Sequence, residues 1–205
     1  MDPTAELGTN VAIGPYSVID ANVILGDNTT IGNHVTVCEN TTIGQDCRIF
    51  HSSSIGEIPQ DLKFGGEKTK TIVGDKTTIR ECVTVNRGTN ALGVTQIGSD
   101  CLLMAYVHVA HDCIIGDHVI MANMATLGGH VEIGDWASLG GGVLVHQFCR
   151  IGVHAFIGGG FRAVQDVPPF ILAAGEPLSF GGINKIGLKR RGFSKEEQKT
   201  IKYLY

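Results

Sequence analysis

The chain is poor in aromatic residues and in charge, and it contains no long apolar run. Aromatic residues make up 6% and charged residues 18% of its 205 positions. No stretch is long and apolar enough to span a bilayer, so we expect no stable membrane insertion. Met1 to Gly8 include no apolar segment, which argues against a signal peptide. The formal net charge is −4, and we expect no nucleic acid among the partners.

The six cysteines lack the spacing of a metal site or of a redox pair. No CxxC motif is present. We therefore expect no metal and no cofactor. Four cysteines occupy an inward position of the six-residue repeat described in the next paragraph, where a small hydrophobic side chain packs best: Cys47, Cys101, Cys113 and Cys149. We expect them to be buried and reduced, which favours a cytoplasmic location.

The sequence is rich in Gly and in a six-residue repeat. It has 28 Gly, about twice the usual share of roughly 7%. A non-aromatic hydrophobe recurs every sixth residue over Ile13–Ile55, Val73–Val85 and Ile97–Ile157. A small or β-branched residue lies two places before each hydrophobe, and Gly often follows it. This period is typical of a hexapeptide β-helix, in which we expect the Gly to provide the backbone freedom that a corner needs.

The period also predicts the overall shape. Three hexads form one coil of about 18 residues, so the 22 hexads build roughly seven coils. Known hexapeptide proteins coil left-handed, and this resemblance implies the same hand here. We predict an all-β protein, namely a left-handed parallel β-helix of hexapeptide repeats with a short C-terminal helical extension.

Two interruptions and two prolines divide the chain. The charged, aperiodic segments at about 57–70 and 87–94 are predicted to be external loops, which commonly carry binding residues. Pro168 and Pro169 are expected to end the prism. A capping box from Ser194 to Glu197 predicts a helix start after an irregular connection over 171–184. We therefore predict a β-helix at 1–170, and a connector with the start of a helical region at 171–205.

The hexad register brings distant residues to one corner. Both loops leave the prism there, and three pairs spaced 18 apart stack there: His111-Asp112, Gly129-His130 and Gln147-Phe148. The histidines that converge on this corner are His108, His111, His130 and His146. We interpret the other four as solvated turn residues: His34, His51, His118 and His154. The convergence of four histidines on one corner predicts a functional site.

A His beside an Asp, with a Gly one coil above, can catalyse acyl transfer. The His can act as a general base near neutral pH, and the carboxylate can orient its ring. The Gly places a bare backbone N–H near a developing oxyanion. No Ser or Cys nucleophile is evident, so we favour direct attack by a substrate hydroxyl or amine. Register alone leaves open whether His111 and Asp112 belong to one site.

Six ordered motifs carry a family resemblance over residues 11–203. They are QDLKFGGE (60–67), HVAHDC (108–113), GGH (128–130), HQF (146–148), DVPP (166–169) and GLKRRGFS (187–194). Together they resemble the acyl-[acyl-carrier-protein]–UDP-N-acetylglucosamine O-acyltransferase family, which starts lipid A synthesis in Gram-negative bacteria. The resemblance implies a homotrimer with sites between subunits, and acyl carrier protein and UDP-N-acetylglucosamine as substrates.

The resemblance also implies residue roles. His111 would deprotonate the glucosamine 3-hydroxyl, which attacks the thioester of a 3-hydroxyacyl group on acyl carrier protein. Asp112 would orient His111, and the Gly129 N–H would stabilise the oxyanion. Asp61 and Lys63 would hold the sugar nucleotide. The remaining implied binding residues are His108, His130 and His146 lining the site, Gln147, Asn184, Arg190 and Arg191 at the nucleotide, and Gly159 at the position that gauges acyl length.

The motifs depart from the family pattern in places, and three other functions compete. Asn86 stands where the best-known members have His, and Ile186 where a Glu is common. The family's C-terminal helical domain is also longer than the segment after Ser194. Asn86 near the acceptor makes an N-acyltransferase acting on a 3-amino sugar nucleotide the first alternative. A zinc-dependent γ-type carbonic anhydrase and a non-catalytic trimeric scaffold are the others.

Overall fold

The structure, a computed structural model, describes residues 1–205 and consists of three parallel sheets that form the sides of a prism. Sheet A contains β1 (Glu6–Leu7), β4 (Ile24–Leu25), β7 (Thr41–Ile43), β10 (Lys70–Val73), β13 (Val94–Ile97), β16 (Ile114–Ile115), β19 (Glu132–Ile133) and β22 (Arg150–Ile151). Sheet B contains β2 (Ala12–Ile13), β5 (Thr30–Ile31), β8 (Arg48–Ile49), β11 (Thr78–Ile79), β14 (Leu102–Leu103), β17 (Ile120–Met121), β20 (Ser138–Leu139) and β23 (Phe156–Ile157). Sheet C contains β3 (Val18–Ile19), β6 (Thr36–Val37), β9 (Ser54–Glu57), β12 (Thr84–Asn86), β15 (His108–Val109), β18 (Thr126–Leu127), β21 (Leu144–Val145) and β24 (Arg162–Ala163).

The architecture is a left-handed parallel β-helix, and this prediction is confirmed. Neighbouring strands of each sheet come from successive coils: Val109 pairs with Leu127, and Leu127 with Val145. The prism has eight coils rather than the expected seven or so, because β1 and β24 add one hexad at each end. The hexad that ends at Ala163 escaped the pattern because Phe161 fills the position where a small residue is usual.

The core is a single column of inward side chains. Forty buried hydrophobic residues form one cluster along the prism axis. All six cysteines are free, and the four predicted to point inward are buried. Burial raises the pKa of the Cys113 thiol to about 12, so this thiol is un-ionised at neutral pH. The cysteines therefore contribute packing, as expected.

The repeated Gly has a different purpose from the one expected. Except for Gly56 (φ 85°), where the first loop leaves the prism, the Gly after a hydrophobe does not take a positive φ. Instead it permits close contact between coils: a Cβ on Gly134 would lie 2.7 Å from the Val153 nitrogen. The left-handed backbone occurs two residues later, where it is adopted by side chains as large as Trp136 (φ 63°) and Phe148 (φ 66°). The ladder of hydrogen bonds between coils holds this unfavourable conformation in place.

The segment after the prolines is more regular than predicted. Residues 171–184 were expected to be an irregular connection, but they contain β25 (Ile171–Ala174), parallel to β23, and β26 (Ser179–Ile183), antiparallel to β25. Pro168 and Pro169 are tolerated because at this corner the N–H after the strand donates to the following coil, as the Gly152 N–H does to the Val167 carbonyl. No further coil follows on sheet A, so the missing proline N–H groups leave no acceptor unpaired.

Two helices complete the chain. The helix α1 (Lys185–Arg190) was not predicted, and the Asn184 side chain caps it by accepting a hydrogen bond from the Gly187 N–H. The helix α2 (Lys195–Tyr203) begins after Ser194 with both hydrogen bonds of the predicted capping box. Neither helix is long and apolar enough to cross a membrane.

Candidate active site

The corner between sheets C and A, here called the histidine edge, holds the three predicted pairs 111–112, 129–130 and 147–148. The His130 N–H donates to the His111 carbonyl at 3.0 Å, and the Phe148 N–H donates to the Gly129 carbonyl at 3.1 Å. Both loops also leave from this edge, at residues 58–69 and 87–93. The predicted stacking of these distant residues is therefore confirmed.

His111 and Asp112 form one hydrogen-bonded pair. The His111 Nδ1 lies 2.8 Å from Asp112 Oδ2. The His111 side chain is 14% exposed and that of Asp112 is fully buried. Because a carboxylate accepts, the proton of this bond is on Nδ1. The His111 Nε2 is therefore left with a free lone pair, as a general base requires.

The second loop, residues 87–93, holds the Asp112 carboxylate. The Thr89 N–H and hydroxyl donate to it at 2.9 and 2.6 Å, and the Leu92 N–H donates at 3.2 Å. Burial alone would raise the pKa of Asp112, but the hydrogen bonds from Thr89 and His111 outweigh burial and hold this pKa below its ordinary value. Sequence reasoning missed Thr89, because an aperiodic loop gives no register by which its contacts can be inferred.

Replacing Thr89 by Val should lower kcat for acyl transfer about tenfold, with little change in the KM of either substrate. The substitution removes the hydroxyl that shares Asp112 Oδ2 with His111, so the carboxylate is less firmly oriented, at a cost of roughly 1–2 kcal/mol for a hydrogen bond to a charged group. Steady-state kinetics of Thr89→Val and Thr89→Ser measure this effect. Thr89→Ser restores the hydroxyl and should recover most of kcat; equal losses in both variants would remove the hydroxyl from this role.

Gly129 lies flat against the His111 ring. A Cβ at this position would come within 2.6 Å of the ring carbon Cε1 and 2.8 Å of Nε2. Only Gly therefore lets the ring keep its position above the Asp112 carboxylate. The Gly129 N–H makes no hydrogen bond within the chain, so it is free to donate to a bound group beside the imidazole.

The other three histidines of the cluster have different surroundings. The His130 ring stacks on Phe148 with centroids 4.5 Å apart and meets the His111 ring edge-on at 5.1 Å. His108 projects from sheet C with Nδ1 2.8 Å from Thr84 Oγ1, and burial lowers its pKa. His146 is exposed, with Nδ1 3.0 Å from the Gln147 carbonyl. All of them border the histidine edge.

The first loop protrudes from the histidine edge. Asp61 Oδ1 accepts a hydrogen bond from the Lys63 N–H at 3.0 Å, which shapes a turn at the loop tip. The neighbouring Leu62 side chain is fully exposed. The loop is tied to the prism at its base, where the Asn86 amide donates to the Ile58 carbonyl at 3.0 Å. Asp61 and Lys63 make no hydrogen bond to the His111 pair.

Four predicted binding residues lie on the other two edges. Gly159 is on the corner between sheets B and C, where its Cβ would meet the Gly141 carbonyl at 3.0 Å. Asn184, Arg190 and Arg191 lie by the corner between sheets A and B, here called the aromatic edge, where His118, Trp136, His154 and Phe170 stack in one ladder. One chain therefore does not bring all predicted site residues together.

The aromatic edge corrects the interpretation of His154. We expected a solvated turn residue, but His154 stacks between Trp136 and Phe170, and burial followed by the charge of Arg191 lowers its pKa. The Arg191 guanidinium lies 4.8 Å from the centre of the Trp136 ring. His118 likewise stacks on Trp136 at 3.8 Å. Large side chains at the left-handed corner position stack from coil to coil, and a hexad count does not reveal this.

Family profiles match both parts of the chain. A profile described as "Bacterial transferase hexapeptide (six repeats)" matches residues 4–39 and 95–129. A second, described as "Udp N-acetylglucosamine O-acyltransferase; Domain 2", matches residues 166–205.

Curated relatives and solved structures resemble the whole chain. The acyl-[acyl-carrier-protein]–UDP-N-acetylglucosamine O-acyltransferases of Herminiimonas arsenicoxydans and Paracidovorax citrulli are 52% and 54% identical over 206 residues, covering 100% of this chain and 79% of theirs. The UDP-N-acetylglucosamine acyltransferase of Bacteroides fragilis superposes with a TM-score of 0.98 at 46% identity, over 99% of this chain and 80% of its own. The Francisella novicida enzyme gives 0.97 at 43% identity, over 100% and 75%.

Proposed function

The chain belongs to the acyl-[acyl-carrier-protein]–UDP-N-acetylglucosamine O-acyltransferase family, and from this premise we propose that the histidine edge is its catalytic centre. The protein is an acyltransferase of the first step of lipid A synthesis, with UDP-N-acetylglucosamine as the acceptor and acyl-[acyl-carrier-protein] as the donor. We propose further that the transferred group is a 3-hydroxyacyl chain and that the acceptor atom is the glucosamine 3-hydroxyl oxygen.

The observation that carries this proposal is the arrangement of His111, Asp112 and Gly129. The His111 Nε2 removes the proton of the 3-hydroxyl as its oxygen attacks the thioester carbonyl carbon. The imidazolium that forms is stabilised by the buried Asp112 carboxylate at Nδ1. The Gly129 N–H, which has no partner in the chain, donates to the oxygen of the tetrahedral intermediate. Collapse breaks the C–S bond, and the departing thiolate takes its proton from His111.

The binding residues fit a homotrimer. The residues proposed to bind substrate lie on three edges of one prism, so a second copy has to bring its aromatic edge or its Gly159 corner to the histidine edge of the first. Exposed apolar side chains at this edge support such a contact: Ile58, Leu62 and Leu92 are each more than half exposed. We propose that Asp61, Lys63, His108, His130, His146 and Gln147 meet Gly159, Asn184, Arg190 and Arg191 of neighbouring copies. The cytoplasmic location stays a prediction from the free cysteines.

Mixed trimers should recover activity lost in each parent. His111→Ala removes the base, and the double variant Arg190→Ala/Arg191→Ala removes the cations proposed to bind the nucleotide diphosphate. If the site combines two copies, trimers assembled from both variant chains contain sites with both groups intact. Size-exclusion chromatography with light scattering should show three times the 21.8 kDa of one chain. Activity no higher than the sum of the parents would place both groups in one chain.

The function itself is tested by direct acyl transfer. The purified chain is incubated with 3-hydroxyacyl carrier proteins of varied chain length and UDP-N-acetylglucosamine, and the product is analysed by mass spectrometry. We expect an ester that alkali cleaves. The matched acceptor with a 3-amino group separates the first alternative, since faster formation of an alkali-stable amide would identify an N-acyltransferase. No transfer at any chain length would refute the proposal.

A further inference from the structure

Three groups that can ligate a metal converge on the histidine edge. One nitrogen each of His111 and His130 and one carboxylate oxygen of Asp112 all lie within 4.8 Å of one another, and no other three His, Cys, Asp or Glu side chains of the chain come as close. The His111 Nδ1 lies 2.8 Å and the His130 Nε2 3.9 Å from Asp112 Oδ2. Two imidazoles and one carboxylate are a common protein ligand set for Zn²⁺, with further positions left to water.

The three side chains already lie close to the arrangement that a bound cation needs. Asp112 is fully buried, and the Thr89 N–H, the Thr89 hydroxyl and the Leu92 N–H donate hydrogen bonds that fix its carboxylate in place. The His130 ring lies parallel to Phe148, with 4° between the ring planes. In tetrahedral coordination, Zn–N bonds of about 2.1 Å place two nitrogen ligands about 3.4 Å apart, so ring nitrogens that lie within 4.8 Å of one another need to close by at most about 1.4 Å. Both rings are partly exposed, at 14% and 24% of the side chain, so they can move by this amount.

We propose that the histidine edge binds one divalent transition-metal ion through His111, Asp112 and His130, and that this ion reversibly blocks acyl transfer. The blocking step rests on the proposed function, in which His111 is the base. When the metal bonds to His111 Nδ1, the proton there moves through solvent to Nε2, and the ring stays neutral. The lone pair that would accept the hydroxyl proton is then gone, and the Asp112 carboxylate is occupied by the ion.

The ligand chemistry predicts which ions act. Imidazole nitrogen favours Zn²⁺, Ni²⁺, Co²⁺ and Cu²⁺, whereas Mg²⁺ and Ca²⁺ prefer all-oxygen sites. Zn²⁺ should therefore inhibit at concentrations at which Mg²⁺ has no effect. This selectivity distinguishes a specific metal site from non-specific screening of charge by divalent ions.

Metal binding to the full chain tests the site independently of activity. Titration calorimetry with Zn²⁺ should show one ion per chain, and Co²⁺ should give the visible absorption of a nitrogen–oxygen site. His130→Phe should raise the Kd for Zn²⁺ at least about tenfold, since even outer-sphere substitutions cost 10–100-fold. Phe is compatible with this left-handed corner because Phe148 occupies the same position one coil away. His51→Gln is the matched control, since His51 is exposed and lies on another corner, and its Kd should not change.

The binding and activity results test the metal site and the proposed function separately. Zn²⁺ inhibition of transfer that reverses with chelator, at concentrations matching the calorimetric Kd, supports the whole proposal. Absence of Zn²⁺ binding in an active enzyme, or equal loss of affinity in His51→Gln and His130→Phe, overturns it. If Zn²⁺ binds but the protein transfers no acyl group, the metal site stands and the proposed function fails.

Discussion

Replacing His111 by Ala is expected to lower kcat for acyl transfer by roughly a thousandfold, within the 10²–10⁴ that a general base usually contributes. The loss equals about 4 kcal/mol of transition-state stabilisation, at 1.36 kcal/mol for each factor of ten. The fold should persist because the ring lies outside the core column and Asp112 keeps its hydrogen bonds from Thr89 and Leu92. Single-turnover kinetics with saturating substrates measures the chemical step directly.

The His111 experiment has a close control within the same chain. His51→Ala removes an exposed histidine from a different corner and should leave kcat unchanged. Thermal unfolding and the mass in solution of both variants should match the unsubstituted protein. A His111→Ala enzyme that keeps more than about a tenth of kcat would show that another group accepts the hydroxyl proton, because a contribution below tenfold is too small for a general base.

Asp112→Asn should lower kcat by up to about a thousandfold, the loss expected for His111→Ala, although it is nearly isosteric. An Asn can retain its oxygen at the Thr89 and Leu92 N–H groups, which places the NH₂ group against His111 Nδ1. Two donors cannot face each other, so the imidazole carries its proton on Nε2 and loses its basic lone pair. In a serine protease triad, the same change in the corresponding pair lowers kcat about 10⁴-fold through the wrong tautomer.

The tautomer explanation makes a second, separate prediction. Adding Asp112→Asn to His111→Ala should produce little further loss, since the carboxylate acts through the imidazole. An additive loss in the double variant would instead show that Asp112 contacts substrate. Nitrogen chemical shifts of His111 provide the direct measurement: Nδ1 should carry the proton in the unsubstituted protein, and Nε2 in Asp112→Asn.

The proposed catalytic corner was predictable from residues that obey the repeat. His111, Gly129 and Gln147 are spaced 18 apart, and the strands beside them are in register, so their common edge follows from counting. The distance between His111 and Asp112 did not follow, because adjacent residues can point to different sides of a corner. Asp112 takes the left-handed backbone of this corner, with φ 58°, and its carboxylate lies 2.8 Å from the ring nitrogen.

The interruptions of the repeat were the least predictable part. Thr89 donates a hydrogen bond to Asp112, and β25 continues sheet B after the prolines. Both features depend on contacts between segments that share no sequence period. The sequence also did not predict that the proposed binding residues lie on separate edges of the prism. The resemblance assigns Asn184 and Arg191 to the same site as the histidines, but they lie on the aromatic edge of the folded chain.

The amino-acid sequence by itself determined the prism, its register and the edge on which the histidines gather. It could do so because a short-range rule, an inward hydrophobe every six residues, repeats often enough to specify long-range stacking. Only the tertiary structure decided which hydrogen bonds orient the His111 ring and which predicted binding residues lie away from the histidine edge. Those features depend on how a loop folds back onto the prism and on which corners remain uncovered, and no local pattern encodes either one.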